Sequence, residues 1–286
     1  MASMRDIQRR KVSVQSTGQI TKAMKLVSTV KLQKARQRVE NTKPYFNEMY
    51  AAVTSILARS GNVQHKYLKS YEDKKKAVIV ISSNRGLAGG YNSNIVKLLT
   101  NNPEFSKDKV VVYNVGRKGR DTLVRKGYEI REDFSDAVEN PLFTDAMQIS
   151  ATVLKAFESG EIGEIYVAYT EFKNTVSHVP TLKKLLPVEA SDVEIKDEQK
   201  NILMNYEPGE EEVLDVIIPK YISSLIFGGL TEAVASENGA RMVAMDSATT
   251  NADEMISSLS LLYNRARQAS ITQELTEIIA GAEAIG

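Results

Sequence analysis

Apolar and small side chains recur in steps of three and four residues towards both ends of this chain, and in short unbroken runs through its middle. Near the N-terminus the series is Leu32, Ala35, Val39, Thr42, Phe46, Met49, Val53 and Ile56. Near the C-terminus it is Met245, Ala248, Ala252, Met255, Leu259, Leu262, Ala266 and Ala269. An apolar position every 3.5 residues on average is the seam of a coiled coil. The first series predicts a helix from about Ser3 to Arg59, kinked rather than stopped at Pro44. Ser60-Gly61-Asn62 should end it. The last helix is expected to start after Pro208-Gly209, with Glu210, Glu211 and Glu212 in a first turn where the helix dipole favours acids. Pro219 and Gly228-Gly229 should bend or loosen it, and it should reach about Ile279.

The middle of the chain has another rhythm. Ala77 to Ser82 reads as a buried strand, followed by the glycine-rich turn Asn84 to Asn92 and a helix beginning near Ser93. Val110 to Val115 reads as a second strand, with a helix around 117–126 after it. A helix over 142–158, opened by Pro141, leads to a strand at 164–169. A turn at 172–174 and a returning strand at 175–186 follow. Residues 188–205 are polar and irregular, with at most a short strand near 202–206. Strands alternating with helices imply a parallel sheet. The expected fold class is therefore α/β: a long antiparallel coiled coil of the N- and C-terminal helices, plus an inserted α/β domain with a mainly parallel, Rossmann-like sheet. Residues 1–60 and 209–286 would form the shaft, 62–76 a polar connector, and 76–206 the inserted domain.

Helix lengths refine this picture. The first helix would measure about 85 Å and the last about 105–115 Å at ~1.5 Å per residue. Paired antiparallel, the C-terminal helix overshoots its partner by roughly 20–30 Å. The overshoot is residues 269–285, where the clean seam stops. Ile271, Leu275, Ile278 and Ile279 lie in it, and apolar residues at such a tip call for a close-fitting environment supplied from outside.

A net charge of +1 hides an asymmetry. Residues 1–59 carry twelve Lys and Arg against three acids, and residues 210–286 carry twelve acids against four bases. Opposite charge on two helices favours their pairing and sets orientation. The basic helix lacks the interleaved aromatics of a nucleic-acid surface, so no nucleic-acid partner is expected. Cysteine is absent, which rules out disulfides and thiolate metal sites in this chain. The two histidines, His65 and His178, sit in no recognisable motif, so no catalytic triad or histidine metal site is expected. Residues 1–6 lack the apolar core of a signal peptide. No run was read as reaching the ~20 apolar residues of a membrane span.

Two turns carry candidate chemistry. Asn84 to Asn92 lies between strand and helix, where a phosphate loop would lie. It has neither Gly-Lys-Ser/Thr nor Gly-x-Gly-x-x-Gly, so a tight packing turn is the favoured reading. A phosphate- or nucleotide-binding enzyme using that turn is the alternative. Gly116-Arg117-Lys118-Gly119-Arg120 is a second basic turn, read as solvated.

The stretch Ile271-Thr272-x-Glu274-x-x-Glu277-x-x-x-Gly281-Ala282 and the preceding Tyr263-Asn-Arg-Ala-Arg-Gln268 resemble the signature of the gamma subunit of the rotary (F-type) ATP synthase, bacterial type. Gln19-Ile-Thr-Lys-Ala-Met-Lys-Leu-Val-Ser28, Arg85-Gly-Leu-Ala-Gly-Gly-Tyr-Asn92 and Ala240-Arg-Met-Val-Ala-Met245 carry the same resemblance. It spans both helices and the start of the middle domain. Asn84 departs from it where an acid is common, and Lys25 is also unusual. The resemblance implies a central-stalk rotor that couples rotation of a membrane c-ring to ATP synthesis or hydrolysis in an alpha/beta hexamer. It implies no catalytic residue, no cofactor and no metal in this chain, and a place at the cytoplasmic face of the cell membrane. Alpha, beta and epsilon subunits and the c-ring are the implied partners. Met24, Lys25, Arg267, Gln268, Thr272, Glu274, Leu275, Ile278 and Ile279 are the implied contacts with the hexamer.

Overall fold

The computed structural model describes residues 4–59, 65–69, 71, 73–188 and 209–285. Two long helices bracket the chain, α1 (Met4–Arg59) and α5 (Glu210–Ile285). Between them lie β1 (Lys75–Ile81), α2 (Tyr91–Thr100), β2 (Val110–Val115), α3 (Arg117–Arg125), β3 (Glu129–Asp133), α4 (Phe143–Glu158), β4 (Ile162–Phe172) and β5 (His178–Leu186). By contact the chain divides into two compact units, one of residues Met1–Ser28 with Met242–Gly286, the other of Thr29–Arg241. The boundary expected at residues 60 and 209 is a division by element. By contact the second unit takes in α1 from Thr29 onward and α5 as far as Arg241.

In the larger unit the sheet order is β3-β2-β1-β4-β5. β1 pairs in parallel with β2 and β4, β2 in parallel with β3, and β5 returns antiparallel to β4. This is the strand order of a dinucleotide-binding half-sheet. β1 from Ala77 and β2 but for Asn114 are apolar because both faces are covered. Ala77, Ile79 and Ile81 enter one core with Tyr113, Ile165, Ile149, Val53, Ile218 and Ile222. Val78 and Val80 enter the other with Ile95, Leu99, Val112 and Leu123. The α1 series from Leu32 to Ile56 is buried or half-buried at every position. Phe46 meets Phe227 at 6.3 Å between ring centroids, and Tyr50 meets Tyr221 at the same separation. Residue number rises on one helix as it falls on the other, so the pair is antiparallel.

Several expectations need correction. β3 was missed because Glu129-Ile-Arg-Glu-Asp133 has no apolar run. It is an exposed edge strand, and its charges guard an open edge. β4 runs to Phe172, and the turn lies at 173–177, where the Asn174 carboxamide oxygen accepts from the Val176 and Ser177 amides. α1 is not stopped at Pro44, as expected there, and α5 passes through Pro219 as a single helix. Gly228-Gly229 does not loosen α5. A Cβ at Gly229 would lie 3.4 Å from both Ile81 and Tyr169, so glycine there admits close approach of helix to sheet. α5 continues beyond Ile279 to Ile285, because one internal glycine costs only about 1 kcal/mol and no proline follows. α5 is also, by length and composition alone, apolar enough to cross a membrane, contrary to the sequence reading; its most apolar window is 56% buried within the protein. The connector is no bare linker: Lys66–Leu68 form a 3-10 turn, and His65 and Tyr67 are buried. The breaker at 60–62 and the strand near 202–206 lie outside the described residues.

Candidate functional site

The smaller unit is a two-helix pair. On α1 the least exposed positions are Ile7, Lys11, Val14, Gly18, Thr21, Lys25 and Ser28, a heptad spacing of alternating fours and threes, together with Met24 beside Lys25. On α5 they include Met245, Thr249, Ala252, Ile256, Leu259, Tyr263, Ala266 and Ser270. A Cβ at Gly18 would stand 3.3 Å from the Ala252 Cβ. The Thr21 and Thr249 hydroxyls are 2.8 Å apart, and Lys25 Nζ is 2.6 Å from Asp246 Oδ1. These three pairs step in opposite directions along the two helices, so this pair too is antiparallel.

The C-terminal seam therefore differs from the one expected. Met245, Ala248, Ala252, Leu259 and Ala266 are buried or half-buried, but Met255 and Leu262 are exposed at 53% and 49%, and Ala269 is exposed. Both phases share every other position. Hydropathy selects Met255 and Leu262; packing against α1 from Ile7 to Thr21 selects Thr249, Ile256 and Tyr263. The N-terminal half of the seam was missed altogether, because Gly18, Thr21 and Ser28 are not apolar. Their spacing was the signal available.

The expected contact residues fall in two groups on this unit. Met24 and Lys25 are half-buried, with Lys25 already paired to Asp246. Arg267 lies 21 residues along α5 from Asp246, or about 32 Å at ~1.5 Å per residue. Arg267 and Gln268 are exposed, and the Thr272 hydroxyl donates to the Gln268 carbonyl at 2.9 Å. Glu274 accepts a long bond from Ser270 at 3.4 Å. Ile271, Leu275, Ile278 and Ile279 share one helix face and are about half to two-thirds exposed. Four apolar side chains at i, i+4, i+7 and i+8 form a stripe suited to burial. Nothing among the described residues covers it.

The topological switch point of the larger unit lies outside the C-terminal ends of β1 and β4, where such sheets commonly bind ligands. α5 reaches the chain beside it through Ser236 and Arg241, and the loops after β1 and β2 are bonded to each other. Ser82 Oγ donates to the Gly116 carbonyl at 2.9 Å and accepts from the Gly119 amide at 2.9 Å. Gly116 has φ +108, and a Cβ on it would stand 2.3 Å from the Ser82 carbonyl oxygen. Asn84 accepts from the Arg117 amide at the first turn of α3 and donates to the Ser135 carbonyl. An acid at position 84 would keep the first bond and lose the second. Asn92 satisfies the Ser83 amide. From α5, Arg241 donates to the Gly86 carbonyl, with its guanidinium held by Glu237 at 2.7 Å. The Ser83 and Tyr91 amides are spent on the protein itself, which favours 84–92 as a packing turn. Glu237 and Arg241 were not singled out in the sequence, although acid and base four apart on a helix are a visible pair.

A second polar cluster ties the 65–68 turn to α4 and α5. His65 Nδ1 accepts from the Tyr67 amide, which leaves Nε2 to face Asp215 at 3.2 Å. Lys66 bridges Asp215 at 2.9 Å and Glu158 at 3.0 Å, and the Tyr67 hydroxyl donates to Glu158. Bonds from Tyr67 and Lys66 hold the Glu158 carboxyl below its ordinary value, and Lys66 does the same for Asp215. Among the described residues no cluster of His, Asp and Glu has the geometry of a metal site.

A family model described as ATP synthase matches residues 3–285. The chain is 63% identical over 291 residues to the ATP synthase gamma chain of Lachnoclostridium phytofermentans, covering all of both chains. It is 42% identical to the sodium ion specific gamma chain of Acetobacterium woodii, over 99% of each. In fold it resembles the rotor of the Euglena gracilis mitochondrial ATP synthase, with a TM-score of 0.68 at 20% identity over 94% of this chain and 98% of that one. With a family model over nearly the whole chain and relatives 63% and 42% identical along their full length, this chain belongs to the ATP synthase gamma-chain family.

Proposed function

We propose that this chain is the rotating central shaft of a bacterial F-type ATP synthase, itself without bond chemistry. Residues 1–60 and 209–286 serve as shaft and 76–206 as the body. The body rests on the membrane c-ring with the epsilon subunit, at the cytoplasmic face of the cell membrane. The helix pair stands inside the alpha/beta hexamer, whose subunits bind the nucleotides. A shaft without three-fold symmetry offers each catalytic site a different face, so rotation changes each affinity by the difference in shaft contacts between states.

The observation that carries this reading is the bare apolar stripe Ile271, Leu275, Ile278 and Ile279. With Arg267, Gln268, Thr272 and Glu274 it is suited to a close-fitting sleeve, while Met24 and Lys25 form a second contact lower down. The test is to mix the chain with purified alpha and beta subunits and measure ATP hydrolysis, with and without residues 269–286. Assembly with raised hydrolysis, weakened by the truncation, is expected. Failure to assemble or to stimulate would sink the reading.

A further inference from the structure

Where α5 crosses the C-terminal edge of the sheet, most of its contact is smooth. Gly229, Ala233, Ala235 and Gly239 are small, and Gly239 lies so close to β5 that a Cβ would stand 2.6 Å from His178 Nε2. Apolar contact of this kind is non-directional, so it resists turning of the helix about its own axis through fit alone. Directional bonds interrupt it: besides the bond that the Phe172 backbone donates to the Glu232 carboxyl, there are three. Tyr91, the first residue of α2, donates its hydroxyl to the Ala233 carbonyl at 3.2 Å. Ser236 donates to the Thr170 carbonyl on β4 at 2.9 Å. Arg241 donates through Nε and Nη2 to the Gly86 carbonyl at 3.4 and 3.3 Å.

The placement of these bonds is the informative part. At ~100° per residue, Ser236 lies about 60° to one side of Ala233 and Arg241 about 80° to the other. The three anchors reach three separate segments of the body, namely α2, β4 and the loop after β1, over about 12 Å of helix length. Anchors flanking a helix on both sides oppose rotation in both senses, because turning either way stretches at least one bond. The Arg241 anchor is stiffened further. Its side chain and that of Glu237 are 10% and 12% exposed, and the pair fixes where the guanidinium points.

We infer that Tyr91, Ser236 and the Glu237–Arg241 pair form a rotational key that locks α5 to the body, so that torque passes between body and helix without slip. The inference rests on the rotor reading. These are positioning residues, and none is placed among the proposed contacts with the hexamer.

The test uses the chain assembled with alpha and beta subunits, the hexamer fixed to a surface and a bead attached at Val124→Cys on α3. The chain has no other cysteine, and Val124 is exposed. The angular spread of the bead during pauses reports torsional slack, which a purely structural role would not move. Two variants are compared with the parent: Tyr91→Phe with Ser236→Ala, and Glu237→Met with Arg241→Met. The second replaces both members of a buried ion pair, a change often neutral for stability where breaking one member is not. The key predicts a wider paused spread in both variants at unchanged hydrolysis rate. Equal spread in parent and variants overturns it. A parent complex that hydrolyses ATP without turning the bead removes the rotor reading and the key together, so the two failures are told apart.

Discussion

Replacing Gly119 by alanine tests whether α3 is held against the end of β1 by the contacts described above. The first effect of the change is favourable, since alanine in a helix gains about 1 kcal/mol over glycine. The second is not. The new Cβ would stand 2.5 Å from Ser82 Oγ and 2.9 Å from Ser82 Cβ, closer than real atoms approach, so α3 and the end of β1 must separate. Overpacking of this kind costs about 1–3 kcal/mol. Losing the Gly119 amide bond to Ser82 Oγ adds about 1 kcal/mol. The net loss is about 1–3 kcal/mol, or roughly 3–10 °C in Tm for a chain of this size. A second substitution identifies the cause. Ser82→Gly removes both atoms in the clash, so in its background Gly119→Ala should cost about 1–2 kcal/mol less than alone. Gly116→Ala behaves differently. Its Cβ meets the Ser82 backbone oxygen at 2.3 Å and its φ is unsuited to alanine, and Ser82→Gly relieves neither. Urea unfolding followed by circular dichroism measures all five variants. The reasoning is refuted if Gly119→Ala is neutral, or if Ser82→Gly rescues Gly116→Ala as fully as Gly119→Ala.

Two further predictions concern charge. The cluster around Lys66 should stabilise the fold in a pH-dependent way. Glu158 and Asp215 have depressed values when folded, so their contribution is present above the ordinary carboxylate value of about 4 and is lost as pH falls through the folded values. The gap in urea midpoint between the parent and Lys66→Met should be wide at neutral pH and close below about pH 4; a gap that does not change with pH would refute this. The Lys25–Asp246 pair is solvent-exposed at 39% and 58%, and such pairs contribute little. Lys25→Met should therefore shift stability by less than about 0.5 kcal/mol while lowering hydrolysis in the assembled complex, and the reverse pattern would place Lys25 in the fold rather than at the hexamer.

Legibility in the sequence followed the physics of each element. β1 and β2 were plain because strands covered on both faces must be apolar almost throughout, and Val110–Val115 came out at its full extent. β3 was invisible because an edge strand needs no apolar run. The seam from Leu32 to Ile56 was legible because wide-spaced helices fill their interface with large side chains. The seam from Ile7 to Ser28 was not, because closely packed helices use glycine and hydroxyls there, which hydropathy scores as solvent-facing. The same limit misplaced Met255 and Leu262. The apolar tip was legible residue by residue, since Ile271, Leu275, Ile278 and Ile279 stand bare as their pattern implied. The anchors of α5 on the sheet were not, because Tyr91, Ser236 and Arg241 all donate to backbone carbonyls, and an acceptor that every residue possesses leaves no mark in a sequence.

The strict heptad spacing of the helix pair has a mechanical meaning of its own. A hydrophobic repeat of seven residues falls slightly behind the natural turn of an α-helix, and two such helices wrap around each other with a left hand. A left-handed rope is not its own mirror image. A twist of one sense winds its strands tighter and presses Gly18 onto Ala252, where there is almost no slack; the opposite twist unwinds them and opens that contact. The chirality of the amino acids thereby gives the two directions of turning unequal stiffness.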